Sequence, residues 1–505
     1  MYPGLHTLEW GILHSMRVPL LPPVRNTKIT LFILLIGWVL FGLGFLYFGK
    51  FQDGGWYTCA AKTVLRGLSP FEDFYYPHTP HYLWSYATLL SWMPNADPFW
   101  GRILHILLST LTLCVCLHLL VREARDRLFW FVMVLLLNPY MLQFLFQIKS
   151  YALIQLLLLG SLWQFLRGNK EISYSLLAIL SMFRISFLPL LPLYIWLDRR
   201  HFRPTALLAY FIPFLTLFSL DWEVVLKNLF LPIPWPVLSP NLFNHAYLES
   251  NSLTLVEVIS EKIGYILRSS LIFIPFLLTV HCVKPKKIRS LLLGLFVIIL
   301  IAHLPAQRPF DEYLAPVFLP LYLILFLHAD FGSFRIRNST LFLLIFSACV
   351  TTWRGYRRLV FPSQIQRIET VISELEKVKP GKRSLLFSFD GYLNSFLKEP
   401  APLDTTMGRF SLQPNFTPEQ ARSLKVVHPE FLWDWIATKK FSYLLLSDSE
   451  IHILGHHSPG FLNHLKSHYT LVQTFDYLLE VNEKTHLWEW GNSNQDPSTP
   501  ISTFR

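Results

Sequence analysis

Long apolar runs separated by short basic clusters are the feature that most limits how this chain can fold. Several of the runs contain the roughly 17 to 25 apolar residues that a helix needs to span a bilayer. Of the 505 residues, 52% are hydrophobic and 15% are charged, which is too apolar for one soluble core. The runs lie near 29–49, 100–121, 128–147, 150–167, 172–197, 204–220, 264–283, 289–305, 313–329 and 338–353. With 172–197 counted as two short helices, this pattern predicts a polytopic α-helical membrane protein with about eleven transmembrane helices.

The basic clusters predict how these helices are oriented. Lysine and arginine collect on the cytoplasmic side of membrane proteins, so the net charge of +11 indicates topology rather than nucleic-acid binding. The clusters lie at 17–28, 122–127, 167–170, 198–203, 284–289 and 334–337. All six are cytoplasmic if two conditions hold. Residues 81–93 must lie along the membrane surface, and 171–197 must form two short helices that turn around near Arg184. The loop after the first helix is then extracytoplasmic.

This topology divides the chain into three parts. Residues 1–28 form a cytoplasmic segment, 29–353 form the transmembrane domain with a first outer loop at 50–99, and 354–505 form an extracytoplasmic domain. Long apolar runs end after 354, and the patterns beyond it predict a small α/β domain. They are an amphipathic helix at 365–379, a strand at 384–389, a helix and then a strand in 429–448, and a hairpin at 469–490. We expect this domain to be a passive cap or a subunit contact rather than a second catalytic domain.

The first outer loop carries polar groups that an aromatic belt does not explain. It opens with Asp53, followed by Gly54 and Gly55 and a helix-like stretch, so this carboxylate has a simple interpretation as an N-cap. The loop also contains carboxylates, imidazoles and tyrosines: Glu72, Asp73, Tyr75, Tyr76, His78, His81 and Tyr82. Belts account for Trp and Tyr at a membrane interface, but not for carboxylates and imidazoles there. The combination predicts a site at the outer face that handles both a sugar and a lipid.

Four stretches together resemble a known class of enzymes. They are Asp53 with "YTCAAKTVLRGLSPFEDFYY" and "HTPHYLW", then "NPYMLQFLFQIKSYALIQLLLL", "AILSMFRISFLPLLPLYI" and "QRPFDEYLAPVFLPLYLIL". Their order and spacing resemble the GT-C glycosyltransferases that use polyprenyl-phosphate sugars, and are similar to the protein O-mannosyltransferase, aminoarabinose transferase and GPI mannosyltransferase branches. The resemblance implies an integral-membrane hexosyltransferase. It would transfer a sugar, with mannose as one candidate, from a polyprenyl-phosphate donor to an acceptor on the extracytoplasmic face, with inversion.

The resemblance gives Asp53 a catalytic role. Phosphate leaves the anomeric carbon without needing a proton, so one carboxylate that deprotonates the acceptor hydroxyl is sufficient for an inverting reaction. Many members of the class have two adjacent acidic residues at this place, whereas this chain has Gln52, Asp53 and Gly54. A second acid, if one is needed, must come from elsewhere. Glu72 and Asp73 are candidates, and they are equally well interpreted as solvated loop residues.

The leaving phosphate requires a cation near the membrane face. Arginine offers a planar set of donors for phosphate oxygens, and an unpaired charge near an apolar environment is costly. Arg184 and Arg308 are both predicted to face the outer side, and Lys62 and Arg66 are also available. Arg184 has an alternative interpretation as a structural ion pair, and Asp311 is near enough in sequence to pair with Arg308.

Tyr75, Tyr76, His78 and His81 are predicted to line the substrate groove. The two histidines form a His-x-x-His pair without a third ligand, which is weak evidence for a metal site. No metal-binding DxD motif is present on the predicted outer side, so we expect a metal-independent reaction and no cofactor besides the donor lipid. The expected partners are membrane lipid, the polyprenyl-phosphate sugar and a glycan, lipid or protein acceptor, with no nucleic acid.

Other functions of the same general kind are left open by the sequence. Proline-interrupted helices with internal arginine also suit a transporter or flippase for lipid-linked sugars, or a polymerase or ligase that uses the same carriers. The chain lacks the repeated halves expected of a carrier. The resemblance to bacterial members favours the bacterial inner membrane, while the "NFT" sequon at Asn415 would fit the endoplasmic reticulum.

Overall fold

The computed structural model describes most of the chain. It covers residues 27–49, 54–76, 78–136, 138–219, 255–304, 310–330, isolated positions between 351 and 377, and 386–396, 405–413, 416–438, 440–475 and 484–491. Most of the predicted helix at 365–379, most of the predicted run at 338–353, and Asn415 lie outside the described residues; the described positions 369, 370, 372, 373 and 377 are helical.

Fourteen helices make up the described part of the apolar region before residue 330. They are α1 (Thr27–Phe48), α2 (Gly54–Leu65), α3 (Pro80–Leu90), α4 (Pro98–Glu123), α5 (Leu128–Leu136), α6 (Pro139–Leu145), α7 (Tyr151–Arg167), α8 (Lys170–Phe183), α9 (Leu190–Asp198), α10 (Pro204–Phe211), α11 (Leu255–Ile272), α12 (Ile274–Thr279), α13 (Lys286–Ala302) and α14 (Ala315–His328). The buried apolar side chains of twelve of them form one continuous core, whereas those of α2 and α3 belong to a second cluster that includes Met407, Leu424 and Val426 from the last part of the chain.

The number of membrane spans is smaller by strict criteria than the sequence predicts. Within the described residues, Pro98–Glu123 and Asp311–His328 are long and apolar enough to cross a bilayer, and Ile259–Ile272 with Ile274–Cys282 would be a third, bent by 62°. Other apolar helices, such as Tyr151–Arg167, are shorter than a full span. The total of eleven is therefore not confirmed.

The predicted span at 128–147 is interrupted. It consists of α5 and α6, and the second helix begins where the Asn138 side chain accepts a hydrogen bond from the Met141 backbone N–H at 3.2 Å, with Pro139 as its first residue. Proline has no N–H to donate and fits the first turn of a helix better than its interior. An Asn-Pro sequence thus divides a run that hydropathy alone treats as continuous.

The predicted reversal near Arg184 is present. Helix α8 ends at Phe183, Arg184 has an extended backbone, and α9 follows after a short 3-10 turn. Lys170 at the start of α8 and Asp198 at the end of α9 form an ion pair of 3.0 Å. The two helices therefore return to the face from which they started, and Arg184 lies at the opposite face.

Three of the basic clusters meet at the face opposite Arg184. Asp198 Oδ1 also lies 3.9 Å from Lys287 Nζ, at the start of α13. This joins the clusters at 167–170, 198–203 and 284–289, as the prediction of a common cytoplasmic side requires. We call this side of the helical bundle the inner face and the side with Arg184 the outer face.

A small sheet follows in the last part of the chain. Strands β1 (Leu386–Ser388), β2 (Tyr443–Ser447), β3 (Tyr469–Phe475) and β4 (Thr485–Trp490) lie in the order β1-β2-β4-β3. β1 is parallel to β2, and β4 is antiparallel to both of its neighbours. The helices described here are α15 (Gly391–Phe396), α16 (Pro418–Ser423), α17 (Pro429–Ala437), α18 (Asp448–His457) and α19 (Phe461–His468). The strands and the terminal hairpin occur where the sequence patterns predict them.

Candidate active site

The candidate active site is built from the first outer loop and from the outer ends of α7, α8 and α14. Asp53 lies outside the described residues, so its catalytic role stays a prediction. Helix α2 begins at the next residue and is buried through most of its length. The Thr58 hydroxyl donates to the Gly54 carbonyl at 2.8 Å and shares a 3.0 Å hydrogen bond with Tyr86 of α3. These bonds fix the chain directly after Asp53.

Aromatic rings surround the start of α2. Trp56 and Tyr57 are stacked with ring centroids 3.6 Å apart, and the Tyr57 ring lies 6.1 Å from His78 and 5.3 Å from Tyr82. The Tyr82 hydroxyl lies 2.9 Å from His105 Nε2. His105 Nδ1 donates to the Gly101 carbonyl at 2.7 Å, so this ring is held from both of its nitrogens.

The predicted groove residues are in this aromatic region, but most of them are buried. Tyr75 and Tyr76 are almost fully enclosed, and burial raises the pKa of Tyr76 well above its usual value. His81 Nε2 lies 2.9 Å from the Thr216 hydroxyl, and burial lowers the pKa of His81 to about 4. His78 is half-buried against Trp56 and Tyr57. Their contact with a substrate stays a prediction.

The other charged candidates of the loop have different surroundings. Lys62 Nζ donates to the Ser395 carbonyl at 2.6 Å, and burial lowers its pKa. Arg66 and Glu72 are exposed, and Asp73 accepts a hydrogen bond from the Ser69 N–H at 2.7 Å. Lys62 thus contacts the C-terminal domain, and the Asp73 carboxylate stabilises a local turn. The roles of Lys62 and Arg66 as phosphate ligands, and of Glu72 or Asp73 as a second acid, stay predictions.

Arg184 lies between two tyrosine rings at the outer face. Its guanidinium carbon is 5.0 Å from the centroid of Tyr151 and 4.9 Å from that of Tyr313, distances at which a cation is attracted to the ring faces. It also interacts electrostatically with Tyr57 and Glu312. Among the described residues, no carboxylate forms an ion pair with Arg184 within 4.0 Å. Arg184 thus connects the first outer loop with the start of α14, and no acceptor in the described part of the chain takes a hydrogen bond from its guanidinium.

A buried ion pair lies beside Arg184. Lys149 Nζ is 2.6 Å from Glu312 Oε1, with side-chain exposures of 4% and 10%. The Tyr151 hydroxyl donates to the same oxygen at 3.3 Å. Burial of both charges in an apolar bundle is costly unless they are paired, and here each has its partner. Neither residue is among the site residues predicted from the sequence.

A second pair continues the cluster. Asp311 Oδ1 lies 3.3 Å from Arg268 Nε, and Asp311 Oδ2 accepts a hydrogen bond from the Tyr140 hydroxyl at 3.4 Å. The Tyr313 ring is stacked on His303 with centroids 4.4 Å apart. Arg308, which the sequence predicts as a phosphate ligand with Asp311 as an alternative partner, lies outside the described residues. We call Lys149, Tyr151, Arg184, Arg268, Asp311, Glu312 and Tyr313 the outer charge cluster.

The sequence contained a signal for the missed residues. Lys149 interrupts an apolar stretch, and charges at such positions are rare and usually functional or paired. Asp311 and Glu312 follow Pro309 and Phe310 directly before an apolar helix. The partners are 163 positions apart, so no local pattern could connect them. Among the described residues, no three His, Cys, Asp or Glu side chains come together as a possible metal site.

Comparison with solved structures identifies the fold. The crystal structure of ArnT from Cupriavidus metallidurans bound to undecaprenyl phosphate matches with a TM-score of 0.56 at 11% identity, covering 92% of this chain and 98% of ArnT. The apo structure of the same ArnT matches with a TM-score of 0.56 at 12% identity, covering 91% and 97%. No protein-family model matches the chain. No curated protein matches it either.

These matches confirm the resemblance at the level of the fold. ArnT is a GT-C aminoarabinose transferase, and nearly its whole length is matched, including the part that corresponds to the C-terminal domain. At 11% and 12% identity, this likeness shows the fold of the chain. It does not show which substrates the chain uses.

Proposed function

We propose that this protein is an integral-membrane glycosyltransferase that transfers a sugar from a polyprenyl-phosphate donor to an acceptor on the extracytoplasmic face. The observation that carries the proposal is that its ArnT-like fold places Arg184, unpaired with any described carboxylate, at the outer end of a helical bundle. The ArnT structure was solved with undecaprenyl phosphate, so a closely related lipid phosphate is the ligand we infer for this bundle.

Arg184 is the anchor that we propose for the donor phosphate. The neighbouring cations have carboxylate partners, Glu312 for Lys149 and both Asp311 and Glu261 for Arg268, whereas Arg184 has no carboxylate within 4.0 Å among the described residues. A guanidinium held between two aromatic faces keeps its N–H donors directed along the ring plane, where two phosphate oxygens can accept them. A phosphate would give Arg184 a directly bonded anion, which no described carboxylate provides.

Asp53 is the proposed general base. The acceptor hydroxyl oxygen forms a bond to the anomeric carbon while the bond from that carbon to the phosphate oxygen breaks, and the hydroxyl proton passes to the Asp53 carboxylate. Attack opposite to the leaving phosphate inverts the anomeric configuration. The phosphate leaves as a dianion, stabilised by Arg184 and by Arg308 if that residue reaches it, so the reaction is proposed to need no metal ion.

The finer assignments are parts of the same proposal. Mannose is the first sugar to be tested, because two of the three branches that the sequence resembles transfer it. The bacterial inner membrane is the proposed location, with the outer charge cluster facing the periplasm. The acceptor is a glycan, lipid or protein that can reach the first outer loop.

The test uses the purified full-length protein. Native mass spectrometry with undecaprenyl phosphate measures lipid binding, and radiolabelled polyprenyl-phosphate mannose, glucose and aminoarabinose measure transfer to acceptors in a total membrane extract. We expect undecaprenyl phosphate to bind and one donor to yield a labelled glycoside. The Arg199→Lys variant is a control for Arg184→Lys, since Arg199 lies 5.9 Å from the Trp196 ring at the opposite end of the α8–α9 pair. Movement of label across vesicles without a new glycoside would identify a flippase instead.

A further inference from the structure

A histidine at the end of α13 lies against one of the two tyrosine rings that contact Arg184. The His303 ring is stacked on the Tyr313 ring, with centroids 4.4 Å apart and ring planes inclined by 25°. The guanidinium carbon of Arg184 lies 4.9 Å from the centroid of the same Tyr313 ring. His303 can therefore act on Arg184 through Tyr313.

The His303 ring is held by its own helix. His303 directly follows α13, is 6% exposed, and donates from Nδ1 to the Ile299 carbonyl at 2.7 Å. This bond satisfies one of the carbonyls that the end of a helix leaves without a partner, and it restricts rotation of the ring. The orientation of the imidazole is therefore determined by α13, whereas Tyr313 belongs to the 3-10 turn that precedes α14.

The other ring nitrogen indicates that the face of this ring matters more than its edge. His303 Nε2 is enclosed and has no hydrogen-bond partner among the described residues. Most buried polar atoms have a partner, so a histidine selected for hydrogen bonding would be expected to use both nitrogens. The stacking on Tyr313 is instead the contact that His303 makes with the outer charge cluster.

We propose that His303 is a positioning residue that sets the orientation of the Tyr313 ring and, through it, the direction of the Arg184 donors. The proposal rests on the proposed role of Arg184 as the phosphate anchor. A guanidinium is planar, so two of its donors reach two phosphate oxygens only when its plane is correctly inclined. Among the described residues no carboxylate lies within 4.0 Å of Arg184 to fix that plane, so the aromatic contacts must do so. Tyr151 is held by its hydrogen bond to Glu312, and Tyr313 by its stacking on His303.

Three substitutions of His303 distinguish stacking from helix capping. His303→Phe keeps a flat ring and loses the Nδ1 donor, His303→Asn keeps a donor near the position of Nδ1 and loses the ring, and His303→Leu loses both. Affinity for undecaprenyl phosphate is measured by native mass spectrometry on the full-length protein. We expect a loss of about fivefold for the Asn and Leu variants, within the range for a lost aromatic stack, and less than twofold for the Phe variant. Weaker binding by the Phe variant than by the Asn variant would indicate helix capping and overturn the proposal.

The test does not depend on the folding of one variant. Tyr313→Leu removes the same stack from its other side, and we expect it to lower the affinity at least as much as His303→Asn does. Normal binding of undecaprenyl phosphate by Tyr313→Leu would overturn the proposal.

The effect must also depend on Arg184. In the Arg184→Lys chain, His303→Asn is expected to change the affinity less than twofold, because an ammonium with three rotatable donors does not depend on the inclination of a plane. An equal loss in both backgrounds would overturn the proposal.

Phe165→Leu is the matched control at the inner face, where Lys170 and Lys287 lie 3.7 and 5.3 Å from the Phe165 centroid. We expect it to keep the affinity within twofold. A loss as large as that of His303→Asn would show that removing any ring beside a cation disturbs the bundle, and the specific role of His303 would be wrong.

A second measurement needs no lipid. Phenylglyoxal modifies arginine side chains, and peptide mass spectrometry gives the rate at Arg184 with Arg199 of the same chain as the internal reference. We expect His303→Asn to raise the rate at Arg184 at least threefold relative to Arg199, since the guanidinium is less restrained, and His303→Phe to change it less than twofold. An unchanged rate in His303→Asn overturns the positioning role even if the protein binds undecaprenyl phosphate. A raised rate in a protein that does not bind undecaprenyl phosphate would support the positioning of Arg184 while overturning the proposed function.

Discussion

Two buried clusters of charge at opposite faces of the bundle differ in how they are balanced. At the inner face, Asp198 lies between Lys170 and Lys287, and the excess positive charge belongs to Lys287, whose side chain is 48% exposed. Lys170 also lies 3.7 Å from the centroid of Phe165. Water can solvate the excess charge, so this cluster needs no further ligand.

The outer charge cluster is balanced differently. Lys149 and Glu312 form a nearly inaccessible pair, while Arg184 is half-buried between Tyr151 and Tyr313 and has no described carboxylate within 4.0 Å. Aromatic faces attract a cation but do not accept its hydrogen bonds as oxygen does. The comparison indicates that the inner cluster stabilises the fold, whereas the outer cluster combines a structural pair with the arginine that we propose as the phosphate anchor.

The largest expected effect concerns activity alone. Replacing Asp53 by Asn removes the proton acceptor but preserves capping ability, since Asn is about as good an N-cap as Asp. We expect the transfer rate to fall by a factor of about 10² to 10⁴, with the melting temperature and undecaprenyl-phosphate binding unchanged. The Asp97→Asn variant is the control, because Asp97 caps α4 by accepting from the Trp100 N–H at 3.0 Å. Equal activity of both variants would show that Asp53 is only a helix cap, and Asp73 or Glu72 would then be the candidate general base.

The second prediction distinguishes the structural ion pair of Lys149 from the binding of the lipid phosphate. Lys149→Met leaves the Glu312 carboxylate without its buried partner, and we expect a loss of about 3 to 5 kcal/mol in the free energy of unfolding. The double variant with Glu312→Gln should recover much of this, as measured by thermal unfolding in detergent. Lys170→Met at the inner face should destabilise the protein in the same way without weakening lipid-phosphate binding in the protein that remains folded. A Lys149→Met variant of full stability would show that Lys149 is not principally a structural partner.

A smaller effect is expected from Arg184→Lys. The charge is retained but the planar set of donors and the stacking between two rings are lost. Apparent affinity for undecaprenyl phosphate should fall about tenfold, which corresponds to about 1.4 kcal/mol. The melting temperature and the pH profile of transfer should change little. If Arg184→Lys binds undecaprenyl phosphate as well as Arg199→Lys does, the phosphate is bound elsewhere, and Arg308, Lys62 and Arg66 would be the next candidates.

The smallest effect is expected at Glu72. Its side chain is exposed on the first outer loop, where a charge is solvated and contributes little to stability. Glu72→Gln should keep the transfer rate within about twofold and the free energy of unfolding within about 0.5 kcal/mol. A loss of rate comparable to that of Asp53→Asn would identify Glu72 as the second acid and would extend the functional part of the outer face to this loop.

The features that could be predicted from sequence are those indicated by a pattern within one segment or by the side of the membrane on which basic residues must lie. The reversal at Arg184 follows from two basic clusters that must share one side, and the Lys170–Asp198 pair shows that they do. The hairpin of β3 and β4 follows from alternating apolar residues at 469–490. Asn138 and Pro139 also indicate a helix break, although the length of the apolar run that contains them predicts one span.

The contacts that define the site could not be predicted in this way. Lys149 was visible as a lone charge in an apolar stretch, but its partner Glu312 is determined by how α14 packs beside the start of α7. The Gly54-Gly55 pair suggested a helix start, whereas its close contact with Tyr392 depends on the placement of an entire domain. The spacing of apolar residues indicates which face of a helix or strand is buried, but not which other part of the protein packs against that face.

The contact between α2 and α15 also has a consequence for biosynthesis. Cys59 and Gly391 are separated by 332 residues, so a chain emerging from the ribosome contains the first outer loop long before the helix that completes its packing. At about 5 to 20 residues per second, that interval is roughly 17 to 66 s. During it, Gly54 and Gly55 have no Tyr392 against them. The loop acquires its final packing only after the C-terminal domain has been translocated and folded, so a truncated chain inserted in the membrane would leave α2 without the helix that covers Gly54 and Gly55.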